Sequence, residues 1–213
     1  MHKPFAIFDM DGTLVDSMVY WQRLAGEFLE RKGVLNVPPD VMERIKPMTM
    51  TESAALFITE FGLAGTPASV AAEMNAMMDE HYRSDIPLKP GTRDYLESLR
   101  RQGVRMCVAS AAAEELMAAC LGRLGVLDYF EFLLSCESVG AGKNKPDVYF
   151  AAAERLGAEP EKTAVYEDAL YAARTAKEAR FYTVGVYDRS ADHHWAQLTA
   201  LADETVRDWR SGK

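Results

Sequence analysis

Short apolar segments rich in β-branched and aromatic residues alternate, in most of this chain, with longer segments whose apolar residues recur every three or four positions. This alternation predicts strands that are each followed by a helix. The predicted strands are residues 5–8, 104–109, 132–135, 163–166 and 181–186, and the predicted helices between them are 92–102, 114–124, 146–156 and 169–179. Strands that alternate with helices form a parallel sheet, because right-handed crossovers place helices on both of its faces. We therefore expect an α/β core.

One region, residues 17–85, breaks the alternation and contains helical patterns but no convincing strand. We call residues 17–85 the helical insertion, and we expect the α/β core to comprise 1–16 and 86–213. The predicted helices of the insertion are 18–31, 51–61 and 67–83. The predicted N-caps are Asp16, Asp40 and Thr51. Ligands bind at the carboxyl ends of the strands in open α/β sheets. An insertion directly after the first strand would therefore cover that edge like a lid.

The composition and charge of the chain limit the classes of molecule that it is expected to bind. The formal net charge of −8 and the pI near 5.1 argue against nucleic-acid binding, which requires clustered Lys and Arg. The pair Arg100-Arg101 is expected to be a solvated helix end. Cys107, Cys120 and Cys136 match no zinc spacing and are expected to be buried, reduced thiols. The sequence has no recognisable secretory signal or membrane span, so we expect a cytoplasmic protein.

Residues suited to chemistry follow four of the predicted strands, at the point where each strand ends or in the loop beyond it. They are Asp9 and Asp11, Ser110, Lys143, and Glu167 with Asp168. The carboxyl ends of parallel strands lie side by side, so the acids, the hydroxyl and the lysine are expected to meet. Clustered carboxylates favour Mg²⁺, which is commonly held by one or two carboxylates together with phosphate oxygens. A carboxylate can also act as a nucleophile and form an aspartyl-phosphate. The pattern therefore favours phosphoryl transfer.

The same residues carry a resemblance to a known family. The segment DMDGTLVDS, residues 9–17, resembles the first signature of the haloacid dehalogenase superfamily, whose phosphatases carry D-x-D-G-T at this place. Ser110, Lys143 and Glu167-Asp168 resemble the second, third and fourth signatures, in the family's order. The helical insertion resembles the type-one cap of the β-phosphoglucomutase and phosphoglycolate phosphatase group. The resemblance implies a Rossmann-like parallel sheet with an inserted all-helical cap domain, in a protein expected to be a monomer.

The resemblance also implies residue roles. Asp9 would attack phosphorus, and Asp11 would protonate the leaving oxygen and then activate water. Mg²⁺ would be held by the side chain of Asp9, the backbone carbonyl of Asp11 and the side chain of Asp168. Glu167 would be either a further metal ligand or an acid outside the coordination sphere.

Residues beside the signatures are candidates for holding the substrate. Ser110 and the amides that follow it, including that of Ala111, would bind phosphate oxygens, although Ser110 could instead only cap a helix. Met10 and Gly12 flank the second acid, and Gly12 lets the backbone turn tightly. Lys46 could reach a substrate anion or could be a plain surface lysine.

Two lysines, Lys143 and Lys145, are candidates for the lysine of the third signature. The family pattern is usually Lys, Pro, any residue, Pro, Asp, and counting back from Pro146-Asp147 selects Lys143. Asn144 then replaces the usual first proline, and Lys145 occupies the variable position, where it is expected to be solvated.

The insertion departs from its mutase-like relatives, in which a loop similar to Lys-Gly-x-Ser-Arg presents an arginine to phosphate. The comparable stretch here is 45–51, and Met50 stands at the arginine position. This absence favours hydrolysis over mutase chemistry. Tyr20, Trp21, Met48 and Met50 could form an apolar rim for the substrate or could pack within the insertion. His193-His194 is expected to lie on the surface.

The sequence thus predicts a Mg²⁺-dependent phosphatase that acts on a small phosphorylated metabolite through an aspartyl-phosphate on Asp9. The alternatives are a sugar phosphomutase and a non-catalytic binding module on the same fold.

Overall fold

The computed structural model describes residues 3–45 and 47–211, and the strands in this part of the chain form a six-stranded parallel sheet. The strands are Phe5–Phe8 (β1), Arg105–Ser110 (β2), Leu133–Ser135 (β3), Thr163–Glu167 (β4), Tyr182–Val186 (β5) and Glu204–Val206 (β6). Their spatial order is β3-β2-β1-β4-β5-β6, the order of a Rossmann-like sheet. The predicted α/β fold class is confirmed.

The α-helices are Met18–Arg31 (α1), Pro39–Ile45 (α2), Met50–Phe61 (α3), Pro67–Ser84 (α4), Thr92–Arg101 (α5), Glu114–Arg123 (α6), Cys136–Val139 (α7), Asp147–Leu156 (α8), Leu170–Glu178 (α9) and Trp195–Leu201 (α10). Short 3-10 helices span Leu127–Tyr129, Pro160–Lys162, Arg189–His194 and Trp209–Ser211. The first four α-helices, α1–α4, lie in the helical insertion. None of the helices within the described ranges has the length and apolar character needed to cross a bilayer.

The sheet buries a hydrophobic cluster on each face, because successive side chains of a strand point to opposite sides. Ala6 and Phe8 of β1 join one cluster with Met106 and Val108 of β2, whereas Ile7 and Cys107 join the other. A third cluster fills the interior of the helical insertion and draws buried residues from each of its four helices. The insertion therefore has a core of its own.

The two segments that connect the insertion to the sheet are paired with each other. Asp16 donates its backbone N–H to the carbonyl of Pro87 at 3.0 Å, and Lys89 donates to the carbonyl of Leu14 at 2.9 Å. The insertion therefore leaves and rejoins the core at one place, immediately beside the loop that follows β1.

Several helix starts differ from the predictions. The N-cap of α3 is Thr49 rather than Thr51, because Thr49 and Glu52 form a reciprocal capping box. Asp40 lies inside the first turn of α2, since Pro39 already begins that helix. Asp16 does not cap α1; the N-cap is Ser17, whose side chain makes no capping bond.

Candidate active site

The loop after β1 folds around one backbone carbonyl. The carbonyl of Met10 accepts the N–H groups of Leu14 and Val15 at 2.9 and 3.0 Å. Gly12 adopts a φ of 79°, and a Cβ there would lie 2.4 Å from Oδ2 of Asp168. Glycine is therefore required both for the left-handed turn and for the close approach of Asp168. Met10 is fully buried in the hydrophobic core, so its side chain cannot reach a substrate.

The register of the sheet brings the ends of three strands together. Phe8 is paired with Val108 of β2 and with Tyr166 of β4, so β1 lies between these two strands. Asp9 follows β1, Ser110 ends β2, and Glu167 ends β4. The predicted meeting of residues from distant parts of the chain follows from this arrangement.

Lys143 lies at the centre of the acids. Its Nζ is 2.5 Å from Oδ1 of Asp9 and 2.7 Å from Oε1 of Glu167, and it is 5 % exposed. Glu167 also accepts the hydroxyl of Tyr149 at 2.8 Å. Burial alone would lower the pKa of Lys143, but the Asp9 and Glu167 carboxylates raise it well above its usual value. Lys143 is therefore a fixed cation, whereas Lys145 is exposed.

Asp9, Glu167 and Asp168 form an acidic triad, with one carboxylate oxygen from each lying within 4.8 Å of the other two. Burial, reinforced by the charges of Asp9 and Glu167, raises the pKa of Asp168 well above its usual value. Burial likewise raises the pKa of Glu167 to about 7, against the opposing effect of Lys143. One lysine does not balance these acids, so an oxygen-liganded divalent cation fits the site.

Asp11 faces the helical insertion rather than the acidic triad. Its Oδ1 accepts the hydroxyl of Ser17 at 2.5 Å and that of Tyr82 at 2.7 Å, and Tyr82 in turn accepts the indole N–H of Trp21 at 2.9 Å. Burial and the nearby charge of Asp9 raise the pKa of Asp11 to about 6, whereas the hydroxyl donors oppose that shift. A carboxyl group with this pKa can give and take a proton near neutral pH.

Ser110 is buried, and its hydroxyl accepts the backbone N–H of Ala112 at 3.2 Å. This bond leaves the hydroxyl hydrogen available for another acceptor. The strand does not run directly into a helix, because α6 begins only at Glu114 and Ala113 is its N-cap. The amides after Ser110, including that of the exposed Ala111, therefore belong to a short loop.

The helical insertion touches the loop that carries Lys143. A Cβ on Gly142 would lie 2.3 Å from the carbonyl oxygen of Pro47. Nearby, Thr51 donates its hydroxyl to Glu137 at 2.5 Å. The start of α3 and the segment before it are thus fixed against this side of the core.

The remaining candidate residues of the insertion differ in their burial and in the groups they contact. Met48 and Met50 are half-buried, and Met50 packs against both the insertion cluster and one face of the sheet. Tyr20 packs on His81 with ring centroids 4.6 Å apart. Lys46 lies outside the described residues.

Other predictions concern residues away from this site. Cys107, Cys120 and Cys136 are buried free thiols, as predicted. His193 is exposed, and neither it nor His194 belongs to the metal-competent group found in the described part of the chain. Arg100 and Arg101 are exposed at the end of α5 and pair with Glu97.

Comparison with known proteins shows the family of this chain. The family model for haloacid dehalogenase-like hydrolases matches residues 5–180. The chain belongs to this family. The chain is 27 % identical over 215 residues to hexitol phosphatase B of Escherichia coli (strain K12), covering 95 % of each chain. The β-phosphoglucomutase of Bacillus subtilis (strain 168) is 27 % identical over 194 residues, covering 84 % of this chain and 81 % of that one.

Solved structures agree on the fold. CbbY from Rhodobacter sphaeroides in complex with phosphate superposes with a TM-score of 0.81 at 24 % identity, covering 97 % of this chain and 95 % of that chain. The predicted family and the predicted enzyme class, a phosphoric monoester hydrolase of the haloacid dehalogenase-like group, are both confirmed.

Three side chains around the site were missed by sequence reasoning. Tyr149 holds Glu167, Tyr82 holds Asp11, and Trp209 donates its indole N–H to the carbonyl of Thr13 at 3.0 Å. Tyr149 could have been suspected, since it lies in the first turn of the helix after Lys143. Tyr82 and Trp209 are distant in sequence and carry no local signal.

Proposed function

We propose that this haloacid dehalogenase-like hydrolase is a Mg²⁺-dependent phosphatase that hydrolyses a small phosphorylated metabolite through an aspartyl-phosphate on Asp9. The observation that carries the proposal is the buried contact of Lys143 with Asp9, a member of the acidic triad. Such a site combines a nucleophile, a fixed cation and oxygen ligands for a metal.

In the first step a carboxylate oxygen of Asp9 forms a bond to phosphorus, and the bond from phosphorus to the leaving oxygen breaks. Asp11 donates a proton to that oxygen. Ser110 donates its free hydroxyl hydrogen to a phosphate oxygen, and Lys143 offsets the negative charge of Asp9 and the phosphate. In the second step Asp11 takes a proton from water, which attacks phosphorus and releases Asp9.

The side chains of Asp9 and Asp168 and the backbone carbonyl of Asp11 would hold Mg²⁺, which neutralises phosphate charge when bound. We assign Glu167 to holding Lys143, because its Oε1 already accepts hydrogen bonds from Lys143 and Tyr149. Backbone atoms of Met10, Gly12 and Ala111 are the proposed additional contacts to the phosphate.

We propose that residues 17–85 act as the cap domain and residues 1–16 and 86–213 as the catalytic core. The separate hydrophobic cluster of the insertion supports this division. Closure of such a cap would exclude bulk water and select the substrate. We also propose a monomer in the cytoplasm, which light scattering and cell fractionation would check.

The substrate is proposed to be a phosphorylated carbohydrate or related polyol, because similar proteins are named hexitol phosphatase and phosphorylated carbohydrates phosphatase. A phosphomutase is the alternative that the similarity to β-phosphoglucomutase supports. Met50 at the expected arginine position argues against it, because a thioether cannot hold a second phosphate.

Phosphate release from a panel of sugar and polyol phosphates, with and without Mg²⁺, tests the proposal. We expect release that requires Mg²⁺ and is fastest for one class of phosphate monoester. Isomerisation of a sugar phosphate with no phosphate release would favour the phosphomutase instead. Absence of turnover on every ester would favour a binding module.

A further inference from the structure

The carboxylate of Asp11 is held from the helical insertion by a residue that none of the family signatures contains. Tyr82, near the end of α4, donates its hydroxyl to Oδ1 of Asp11 at 2.7 Å, across 71 residues of sequence. Ser17 donates to the same oxygen at 2.5 Å. Tyr82 is fully buried, so its hydroxyl has no access to bulk water and depends on these partners.

The direction of the Tyr82 hydrogen bond is fixed by Trp21. An indole N–H can only donate, and that of Trp21 lies 2.9 Å from the Tyr82 oxygen. The Tyr82 oxygen therefore accepts from Trp21, and its own hydrogen is directed to Asp11. The result is a chain of donors from Trp21 through Tyr82 to Asp11, and the Trp21 N–H also helps directly to lower the pKa of Asp11.

The backbone around Tyr82 is fixed to the core. Arg123 of α6 donates from Nε to the carbonyl of Tyr82 at 2.9 Å and from a terminal nitrogen to the carbonyl of Ile86. The Tyr82 ring also lies in a hydrophobic cluster that includes Leu14, Leu24 and Met78. The hydroxyl is thus held in place from both sides of the junction between the insertion and the core.

We propose that Tyr82, oriented by Trp21, is a positioning residue that determines which oxygen of Asp11 exchanges the proton during phosphoryl transfer. Both hydroxyls donate to Oδ1, which leaves Oδ2 as the oxygen that exchanges the proton. The inference rests on the proposed function, because it presupposes that Asp11 is the general acid. It adds a residue of the insertion that prepares the acid before substrate binds.

The test compares phosphate esters whose leaving groups differ in their need for a proton. An alcohol such as glycerol is a poor leaving group and needs protonation, whereas p-nitrophenolate leaves with little help. The value of kcat/KM reports the steps up to transfer of the phosphoryl group, so hydrolysis of the phosphoenzyme does not affect the comparison. The variant is Tyr82→Phe, which keeps the ring and removes the donor.

General acids contribute roughly 10²–10⁴-fold to rates, and we expect Tyr82→Phe to lose about ten-fold in kcat/KM for glycerol phosphate. For p-nitrophenyl phosphate the expected loss is less than about two-fold. Trp21→Phe should shift the ratio of the two values in the same direction by a smaller factor. This second variant keeps the test decisive if Tyr82→Phe does not fold.

Tyr95→Phe is the matched control. It also removes a partly buried tyrosine hydroxyl, one that lies 2.9 Å from the hydroxyl of Tyr166 and away from Asp11. We expect its ratio of kcat/KM values to equal that of the wild type. If the ratio of kcat/KM for the two esters equals that of the wild type in both Tyr82→Phe and Trp21→Phe, even where both values fall, the inference alone is overturned. A wild-type protein that hydrolyses no ester of the sugar and polyol phosphate panel would overturn the proposed function as well.

Discussion

At the scale of single residues, the site depends on one buried cation among several acids. Lys143 contacts both Asp9 and Glu167, and the triad of Asp9, Glu167 and Asp168 has excess negative charge without a metal ion. Removal of one partner from a buried ion pair leaves an uncompensated charge. Lys143 therefore affects both the charge and the geometry of the proposed nucleophile.

Replacement of Lys143 by alanine should lower phosphate release by about 10²-fold or more, because the nucleophile and the transferring group lose their fixed positive charge. Lys145→Ala is the matched control, since Lys145 is exposed only two residues away. Its rate should stay within about two-fold of wild type. Loss of turnover in Lys145→Ala alone would show that the wrong lysine has been assigned.

Gly12→Ala should abolish turnover, because the new Cβ would collide with Asp168 at 2.4 Å. Gly140→Ala is matched to it in backbone conformation, with a φ of 78° against 79°, but its Cβ would meet nothing within 4 Å. Both variants should lose about 1 kcal/mol of folding stability from the left-handed φ, and only the first should lose activity. Equal activities would mean that the approach of Asp168 to this loop is not required.

At the scale of helices and strands, the sequence predicted the order of the core well. The five strands that carry apolar runs are present, and Asp9, Lys143, Glu167 and Asp168 lie together, whereas Asp11 faces the insertion. The strand β6 was missed, because only Val206 of its three residues is buried and its pairing with β5 is a tertiary effect. The misplaced cap at Thr51 has a different origin, since the capping box of Thr49 and Glu52 is a local signal that favours Thr49.

Gly142 lies in the loop that carries Lys143 and is in close contact with the carbonyl of Pro47 in the insertion. Gly142→Ala should push the insertion away from the site and raise KM by about ten-fold, which corresponds to a loss of about 1.4 kcal/mol in substrate binding. Stopped-flow substrate binding would separate this effect from folding.

Gly26→Ala serves as the control for that change. Gly26 lies inside α1, and a Cβ there would meet nothing within 4 Å. The substitution should leave KM unchanged and raise stability by up to about 1 kcal/mol, because alanine is the better helix former. If KM rose equally in both variants, the contact of Gly142 with Pro47 would have no role in substrate binding.

At the scale of the whole molecule, the fold brings buried acids together in an electrostatically unfavourable cluster that the proposed Mg²⁺ would stabilise. The raised pKa of Asp168 means that its charged form is disfavoured in the folded protein, as expected where function takes precedence over stability. Sequence alone indicated that Asp9, Glu167 and Asp168 would lie at one edge of the sheet. It could not indicate that Glu167 is held by Tyr149, or that Tyr82 holds Asp11, because these contacts depend on how distant helices pack.

Addition of Mg²⁺ should raise the thermal unfolding temperature of the wild type. A ligand at 100 times its Kd stabilises the native state by about 2.7 kcal/mol. Asp168→Asn should be more stable than the wild type without metal and should show no Mg²⁺ response, since it removes both a repulsive charge and a ligand. Asp16→Asn removes an exposed acid near the same loop and should respond like the wild type. A full Mg²⁺ response in Asp168→Asn would exclude this residue as a ligand.

The central claim is that Asp9 forms the covalent intermediate, and Asp9→Asn tests it most directly. Asparagine keeps the shape of the side chain but removes the nucleophilic oxygen charge. With Mg²⁺ present, phosphate release from p-nitrophenyl phosphate should fall by about 10³-fold or more while the protein stays folded. Release at the wild-type rate would contradict the aspartyl-phosphate mechanism.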